Sequence, residues 1–296
     1  MEMIKRIHHI SAIVGKAQEN LNFYRDILGL KLVKKTINFD DPGVYHLYFA
    51  NHAMDNGTIM TFFPWENHNK GRKGSGQVGR IAFSIPKGTI NYWKTKLTDH
   101  NIHYSESQLF ANTTLEFQDV HSLDLALVES NQNSNSQNIL GFYGVVLNSN
   151  KPLETIKLLS EHLGLRKVTE DDKYVVLETI GKEHHRVIIP KVSTYLGRFG
   201  IGTVHHIAWS VPTKEKLIEW QDYFMNHNYG VTEVKDRKYF KSIYMPESGN
   251  IIFEFATDGP GFDVDESRES VGEKLMLPEE YEPSRKELEK ILPKLD

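Results

Sequence analysis

The sequence predicts an α+β protein built from four βαβββ modules, and three observations predict it. The order strand, helix, strand, strand, strand returns four times at a spacing of about fifty residues. Two of the helical stretches end in the same Leu-Gly-Leu, at residues 28–30 and 163–165. The opening of the fourth module, HHIAWSVP, overlays that of the second, GRIAFSIP, almost residue for residue.

In the first module, residues 1–66, Ile7 to Val14 reads as a strand. The stretch AQENLNFYRDILGL follows, with Leu21, Tyr24, Ile27 and Leu28 on one helical face and Gly29 at the C-cap. KLVKKTINF, GVYHLYFA and GTIMTFFPW supply three strands. The second module, 78–128, runs from GRIAFSIP through a helix around TINYWKTKL to LDLALVE. The third, 139–190, opens on YGVVLNSN, continues into the helix PLETIKLLSEHLGL and closes on RVIIP. The fourth, 203–258, has a helix through KLIEWQDYFMNH and a last strand IIFEFATD.

The joints are polar. ESNQNSNSQN, at 129–138, reads as a linker. The glycine-rich ENHNKGRKGSGQ at 66–77 lacks the P-loop pattern and runs into a strand, so it reads as a flexible connection and not a phosphate cradle. Residues 259–296 form an acidic extension whose terminal helix, PSRKELEKIL, is expected to pack over the body of the protein.

Bulk properties exclude several function classes. At 39 % hydrophobic and 25 % charged residues, the chain is ordinary for a globular protein. A net charge of −4 gives no basic footprint for nucleic acid. No run approaches the roughly 18 apolar residues of a membrane span. The N-terminus MEMIKRIHHISAIV is not a signal peptide, and a cytoplasmic protein is the default expectation. Cysteine is absent, which removes disulfides and thiolate metal sites. Homo-oligomerisation stays open.

Fourteen histidines make about one His-His dipeptide expected by chance, and the chain has three. His8-His9 and His205-His206 open the first strand of a module at equivalent places. The corresponding residues elsewhere, Gly79-Arg80 and Tyr143-Gly144, offer no ligand. His184-His185 lies after Gly181-Lys182-Glu183 and reads as a solvated turn. Glu254 is a carboxylate inside the apolar strand Ile251-Ile252-Phe253-Glu254-Phe255. A buried carboxylate needs a cation, either a Lys or Arg or a metal. Counting five residues from the turn glycine puts Glu254 after Gly249, Phe62 after Gly57 and, in module two, Leu127 at the matching place. Strand alternation sets His9, Ser11 and Ile13 on one face and turns His8 and His205 to the other.

On these residues the sequence resembles the vicinal oxygen chelate (glyoxalase) superfamily over essentially its whole length, and within it the hydroquinone-type ring-cleaving dioxygenases. The tandem histidines, the Glu on the last strand, Tyr244 followed by Ser248-Gly249, and GPGF at 259–262 carry the resemblance. It implies two open eight-stranded barrels, modules one and four building the metal barrel and modules two and three the other. It implies metal ligands His9, His206 and Glu254, with iron(II) as the metal, manganese(II) sharing the same ligand set, and dioxygen as co-substrate. It further implies that Arg237, His205, His8 and Tyr244 serve catalysis, with Ser11 and Tyr244 binding a small aromatic substrate. Catechol-cleaving relatives usually carry a histidine where this chain has Lys235, which favours a hydroquinone over a catechol. Two other readings compete: a glyoxalase-like isomerase or lyase, which needs a fourth protein ligand, and a metal-free binding protein.

Overall fold

The computed structural model describes residues 2–296 and realises all four repeats. Module one contains β1 (Ile7–Val14), α1 (Ala17–Leu21) running into a π-helical turn (Asn22–Ile27), β2 (Lys31–Asn38), β3 (Asp41–Ala50) and β4 (Ile59–Pro64). Module two contains β5 (Gln77–Ile85), α2 (Ile90–Asp99), β6 (Tyr104–Ser107), β7 (Thr114–Gln118) and β8 (Asp124–Glu129). Module three contains β9 (Gly141–Asn148), α3 (Pro152–Lys157) with its own π-helical turn (Leu158–His162), β10 (Arg166–Glu170), β11 (Tyr174–Glu178) and β12 (Arg186–Pro190). Module four contains β13 (Thr203–Val211), α4 (Lys214–Asn226), β14 (Lys235–Asp236), β15 (Phe240–Pro246) and β16 (Ile252–Pro260). Both Leu-Gly-Leu stops work as read: Gly29 and Gly164 take φ of +70° and +80°, conformations that suit glycine at a helix end.

The strands form two open eight-stranded sheets. One has the order β14-β15-β16-β13-β1-β4-β3-β2, the other β10-β11-β12-β9-β5-β8-β7-β6. In each, the two first strands meet antiparallel, β1 on β13 and β5 on β9, while each first strand pairs parallel with the last strand of its own module. The pleat then sorts side chains. Ile10, Ala12, Phe62, Phe253 and Phe255 turn outward into the large core under the helices. Inside the second sheet, Ala82, Phe110, Ala126, Val128, Val146 and Ile188 close up into an apolar plug. Inside the first, Val33, Tyr48, Ala208, Tyr239, Phe240 and Ala256 fill only part of the space.

The central pairings carry a repeated irregularity. The β1–β13 register gains one residue between Ile7 and His9 on β1, and one between Val204 and His206 on β13. The extra residues are His8 and His205. On β5–β9 the matching insertions fall at Gly79 and Tyr143. All four modules therefore bulge at one equivalent position, and a bulge re-aims the side chains around it.

The connection at 66–77 is not a free loop. It pairs with residues 194–201 through bridges Lys70–Ile201, Arg72–Arg198 and Ser75–Leu196. Backbones approach so closely that a Cβ on Gly74 would stand 2.4 Å from the Tyr195 carbonyl oxygen, which explains its glycines.

The C-terminal extension runs back along β2. Met276 N–H donates to the Lys35 carbonyl at 2.9 Å, and Leu277, Leu288 and Leu292 of the tail and its helix α5 (Arg285–Ile291) enter the core. Lys34, whose side chain is fully buried, clamps the tail by binding Asp265 at 2.6 Å and Glu266 at 2.5 Å. Among the described residues, no helix is long and apolar enough to cross a membrane.

Breaking a buried pair strands the remaining charges. Lys34→Met is therefore expected to destabilise the protein by about 3–5 kcal/mol. It should also open the segment around Asp265 to limited proteolysis before the rest of the chain unfolds. A melting temperature and a cleavage pattern both unchanged would contradict this role for the clamp.

Candidate metal centre

The one barrel whose interior stays polar brings together residues from its first and last modules. His9 and His206 come from the adjoining strands β1 and β13, and Glu254 from β16 beside β13, where it pairs with Ala208. His9 Nε2 lies 3.2 Å from His206 Nε2 and 3.1 Å from Glu254 Oε2; His206 Nε2 lies 2.8 Å from the same oxygen. All three side chains are essentially inaccessible to solvent. Despite those distances, neither Glu254 oxygen accepts a well-directed hydrogen bond. The two imidazole nitrogens and the carboxylate oxygen form a small triangle in which the carboxylate is left without a directed donor.

The tautomers follow from the neighbours. The Thr257 carbonyl can only accept, so His8 Nε2–H donates to it at 3.1 Å. Neutral His8 then presents a lone pair at Nδ1, and His9 Nδ1–H donates to it at 2.8 Å. That leaves His9 Nε2 as a lone pair facing the centre. His205 and His206 repeat the Nδ1–Nδ1 contact at 2.8 Å. Burial, reinforced by the adjacent His9, drives the pKa of His8 down to about 3. Burial, with His206 as the second cause, does the same to His205, again to about 3. Burial raises the Glu254 carboxyl, but His9 and His206 outweigh it and hold the group well below the usual range. That lowering requires positive charge where the imidazoles meet the carboxylate. With His9 neutral and its Nε2 lone pair turned inward, and with no Lys or Arg paired to Glu254 among the described residues, a cation between the three groups is what would keep the carboxylate ionised.

A divalent cation fits this arrangement. Bonds of about 2.1 Å at right angles place neighbouring ligand atoms about 3.0 Å apart, which is the scale of the observed triangle. Two histidines and one carboxylate on one face leave the opposite positions open.

Above the three side chains lies a cavity of about 430 Å³, within the usual range for small-molecule sites. Its wall includes His46, Tyr48, Phe63 and Trp65 from module one, and His205, Arg237, Phe240 and Tyr244 from module four. Arg237 donates to Asp40 at 2.8 Å and its guanidinium sits 5.5 Å from the centre of the Tyr244 ring. Phe240 packs on His9 at 5.1 Å, and Phe63 on His206 at 6.4 Å.

Several positions differ from what the sequence suggests. The bulges bring His8 and His205 against their neighbours, where simple alternation turns them away. His205 reaches the cavity wall, whereas His8 borders a separate space of about 200 Å³ near Asp258 and Phe262. Ser11 is fully buried and does not line the cavity; its hydroxyl lies 2.6 Å from Thr61 Oγ1. The position equivalent to Glu254 is not Phe62 but Thr61. Ser11 pairs with Thr61 as Ala208 pairs with Glu254, because the turn before β16 is one residue longer. Likewise Ala126, opposite Ala82, takes the place assigned to Leu127 in module two. His46 and Tyr48 escaped notice because a His-x-Tyr in a strand has no signature of its own.

His185 is not a solvated turn residue either. Its side chain is buried and its Nδ1 accepts the Ile7 N–H at 3.0 Å, tying module three to β1.

The superfamily model described as glyoxalase/bleomycin resistance protein/dioxygenase matches residues 6–122. The chain belongs to that superfamily. Its relatives sharpen the placement. MhqO of Bacillus subtilis (strain 168), which carries the name of a ring-cleaving dioxygenase, is 44 % identical over 97 % of this chain and 95 % of its own. A crystal structure of a Bacillus subtilis protein named as a dioxygenase superposes with a TM-score of 0.96 at 42 % identity, covering 100 % of this chain and 99 % of that one. The chlorohydroquinone/hydroquinone 1,2-dioxygenase of Sphingobium indicum is 27 % identical over 97 % of this chain and 95 % of its own. The chain is thus an enzyme of the group to which these ring-cleaving dioxygenases belong.

Burial, with Arg6 the next cause, pushes the pKa of His185 down to about 3. The unfolded chain regains the ordinary value near 6.5, so it binds the extra proton below that pH. Stability linked to His185 is therefore intact above pH 6.5 and falls as the pH drops toward 3, at about 1.4 kcal/mol per pH unit. His185→Leu should cost about 1–3 kcal/mol at pH 7, by orphaning the Ile7 amide, and should flatten this acid limb by one proton. Urea midpoints at pH 7 and pH 5 measure both, and an unchanged slope would refute the assignment.

Proposed function

We propose that this chain is a non-haem Fe(II)-dependent dioxygenase that opens the aromatic ring of a hydroquinone-like substrate with O2. His9, His206 and Glu254 are the metal ligands. The observation that carries this reading is the buried Glu254 carboxylate, without a well-directed hydrogen bond, facing two imidazole Nε2 atoms at 2.8–3.1 Å. Manganese(II) suits the same ligands. When bound, the metal supplies Lewis acidity toward a substrate hydroxyl and an open position for dioxygen.

The chain's own residues divide the remaining tasks. The aromatic walls, Phe63, Phe240 and Trp65, accept a planar ring and keep water from it. His205, neutral and on the cavity wall, accepts from His206 Nδ1 and so has its own N–H at Nε2, placed to donate to a substrate oxygen as negative charge develops there. Arg237, held by Asp40, offers a fixed positive charge to developing negative charge, and Tyr244 supplies a hydroxyl on the same wall. His8 acts one step back, fixing the tautomer of His9. The lack of cysteine suits action in a reducing compartment such as the cytoplasm.

A glyoxalase-like isomerase is the competing reading. Thr61, at the position pseudo-symmetric to Glu254, argues against it, because its hydroxyl is spent on Ser11 and His46.

Glu254→Ala should abolish iron retention while leaving the fold intact, as read by metal analysis and circular dichroism. Full iron content in that variant would sink the ligand assignment. Iron-loaded protein should consume oxygen with hydroquinone or a chlorinated or methylated hydroquinone in preference to catechol, and Arg237→Gln should slow this by about 10²-fold. Oxygen consumption absent with every quinol, together with isomerisation of a thiol adduct under nitrogen, would favour the isomerase instead.

A further inference from the structure

The pseudo-two-fold relation between modules one and four extends past the ligands. Glu254 pairs across β15 with Tyr244; its counterpart Thr61 pairs across β3 with Tyr48. Tyr48 is therefore the mate of Tyr244, and the two tyrosines stand on opposite halves of the same cavity. Each has a basic partner. Tyr244 lies under Arg237, while the Tyr48 hydroxyl meets His46 Nδ1 at 2.8 Å. His46 Nε2 in turn meets Thr61 Oγ1 at 2.9 Å, which lies 2.6 Å from Ser11 Oγ.

This row fixes Tyr48 while leaving it able to bind something more. Both nitrogens of His46 are engaged, and so is the Thr61 hydroxyl. A phenol hydroxyl has one donor and two acceptor positions, and Tyr48 uses one of them on His46. Phe262 packs on its ring at 5.0 Å, so the hydroxyl cannot swing away. Three other polar groups near the mouth are committed. Asp40 holds Arg237 at 2.8 Å, Asp41 accepts from Trp65 Nε1 at 2.8 Å, and Asn38 Oδ1 accepts from the Asp40 amide at 3.0 Å. On the module-one wall, Tyr48 is the buried hydroxyl with capacity to spare, held by His46 and facing the cavity.

A quinol held at the metal by one oxygen carries a second oxygen across the ring, and that oxygen needs a partner once it leaves water. We propose that Tyr48, positioned by His46, hydrogen-bonds the second oxygen of the substrate and so selects quinols over simple phenols. This inference rests on the dioxygenase reading above. Tyr48 makes the contact; His46 is a positioning residue, acting through the tyrosine.

The test is anaerobic calorimetric titration of the iron-loaded enzyme with hydroquinone and with phenol, which lacks the second oxygen. Wild type should bind hydroquinone the more tightly. Tyr48→Phe, which preserves the ring, should weaken hydroquinone about tenfold, the scale of one neutral hydrogen bond, and leave phenol within about twofold. His46→Leu should shift the same ligand in the same direction, and His46→Gln, which can still bond the tyrosine, should restore much of the affinity. Equal losses for both ligands in Tyr48→Phe would reduce Tyr48 to a packing role, and no loss for either would remove it from recognition; each overturns the proposal. Oxygen uptake separates the two readings. No uptake by wild type with any quinol sinks the functional reading and this inference with it. Uptake by wild type alongside unchanged quinol affinity in Tyr48→Phe sinks the Tyr48 assignment alone.

Discussion

The first barrel is organised around one unfavourable placement, a carboxylate at 0 % exposure against the Nε2 atoms of two buried imidazoles. Leaving such a charge uncompensated costs several kcal/mol. A domain of ordinary stability has only about 5–15 kcal/mol to lose. On the proposed metal assignment the placement is tolerable, because three elements remote in sequence fix the three side chains where one cation would serve them all. Binding that cation to the folded chain alone also links metal affinity to stability by mass action. The rest of the barrel follows from holding this triangle rigid. Phe240 and Phe63 wedge the imidazoles, the bulges aim them, and the clamped tail seals the far end of the sheet with Val271 and Phe262.

The bulge occurs in all four modules, two of which place no potential metal ligand at it. In modules two and three it carries Gly79 and Tyr143, and the strands continue into Arg80 and Gly144. Their barrel is packed shut by Phe110 and its neighbours. The irregular register is thus a property of the βαβββ unit and its pairing, available wherever two such units meet. What separates the hollow barrel from the filled one is which residues occupy the bulge and the strand beside it.

Much of this was legible in the sequence, for definite reasons. Helical periodicity, the Leu-Gly-Leu stops and the repeated order of elements are local signals, and they gave the modules. His9, His206 and Glu254 stood out because polar residues broke apolar strands at equivalent places. The rest depended on register. Strict alternation separated His8 from His9, since a bulge leaves no mark in a two-residue period. Counting from turn glycines missed Thr61 by one residue because the two turns differ in length. His185 looked like a loop residue until a distant amide, that of Ile7, supplied the partner that buries it. The glycines of 66–77 suggested mobility, yet they are there to let two backbones touch.

That one-residue difference bears on chemistry. With Phe62 inward, the corner opposite Glu254 would be an apolar wall, blocked to any ligand. With Thr61 there, and Ser11 at the place of Ala208, the corner is small and hydroxylic. A carboxylate at that position would complete a four-ligand set around the same point and neutralise a divalent ion's charge. Threonine leaves the set at three, with one net negative charge. A divalent cation then keeps a positive charge to share with an incoming oxygen anion and has positions free to receive it. The hydroxyl row from Ser11 to Tyr48 borders this corner, so the side of the centre without a protein ligand is lined by groups that can give or accept a hydrogen bond. Asymmetry between two halves of one repeated unit is what turns a pseudo-symmetric ligand cage into a site with room for a reaction.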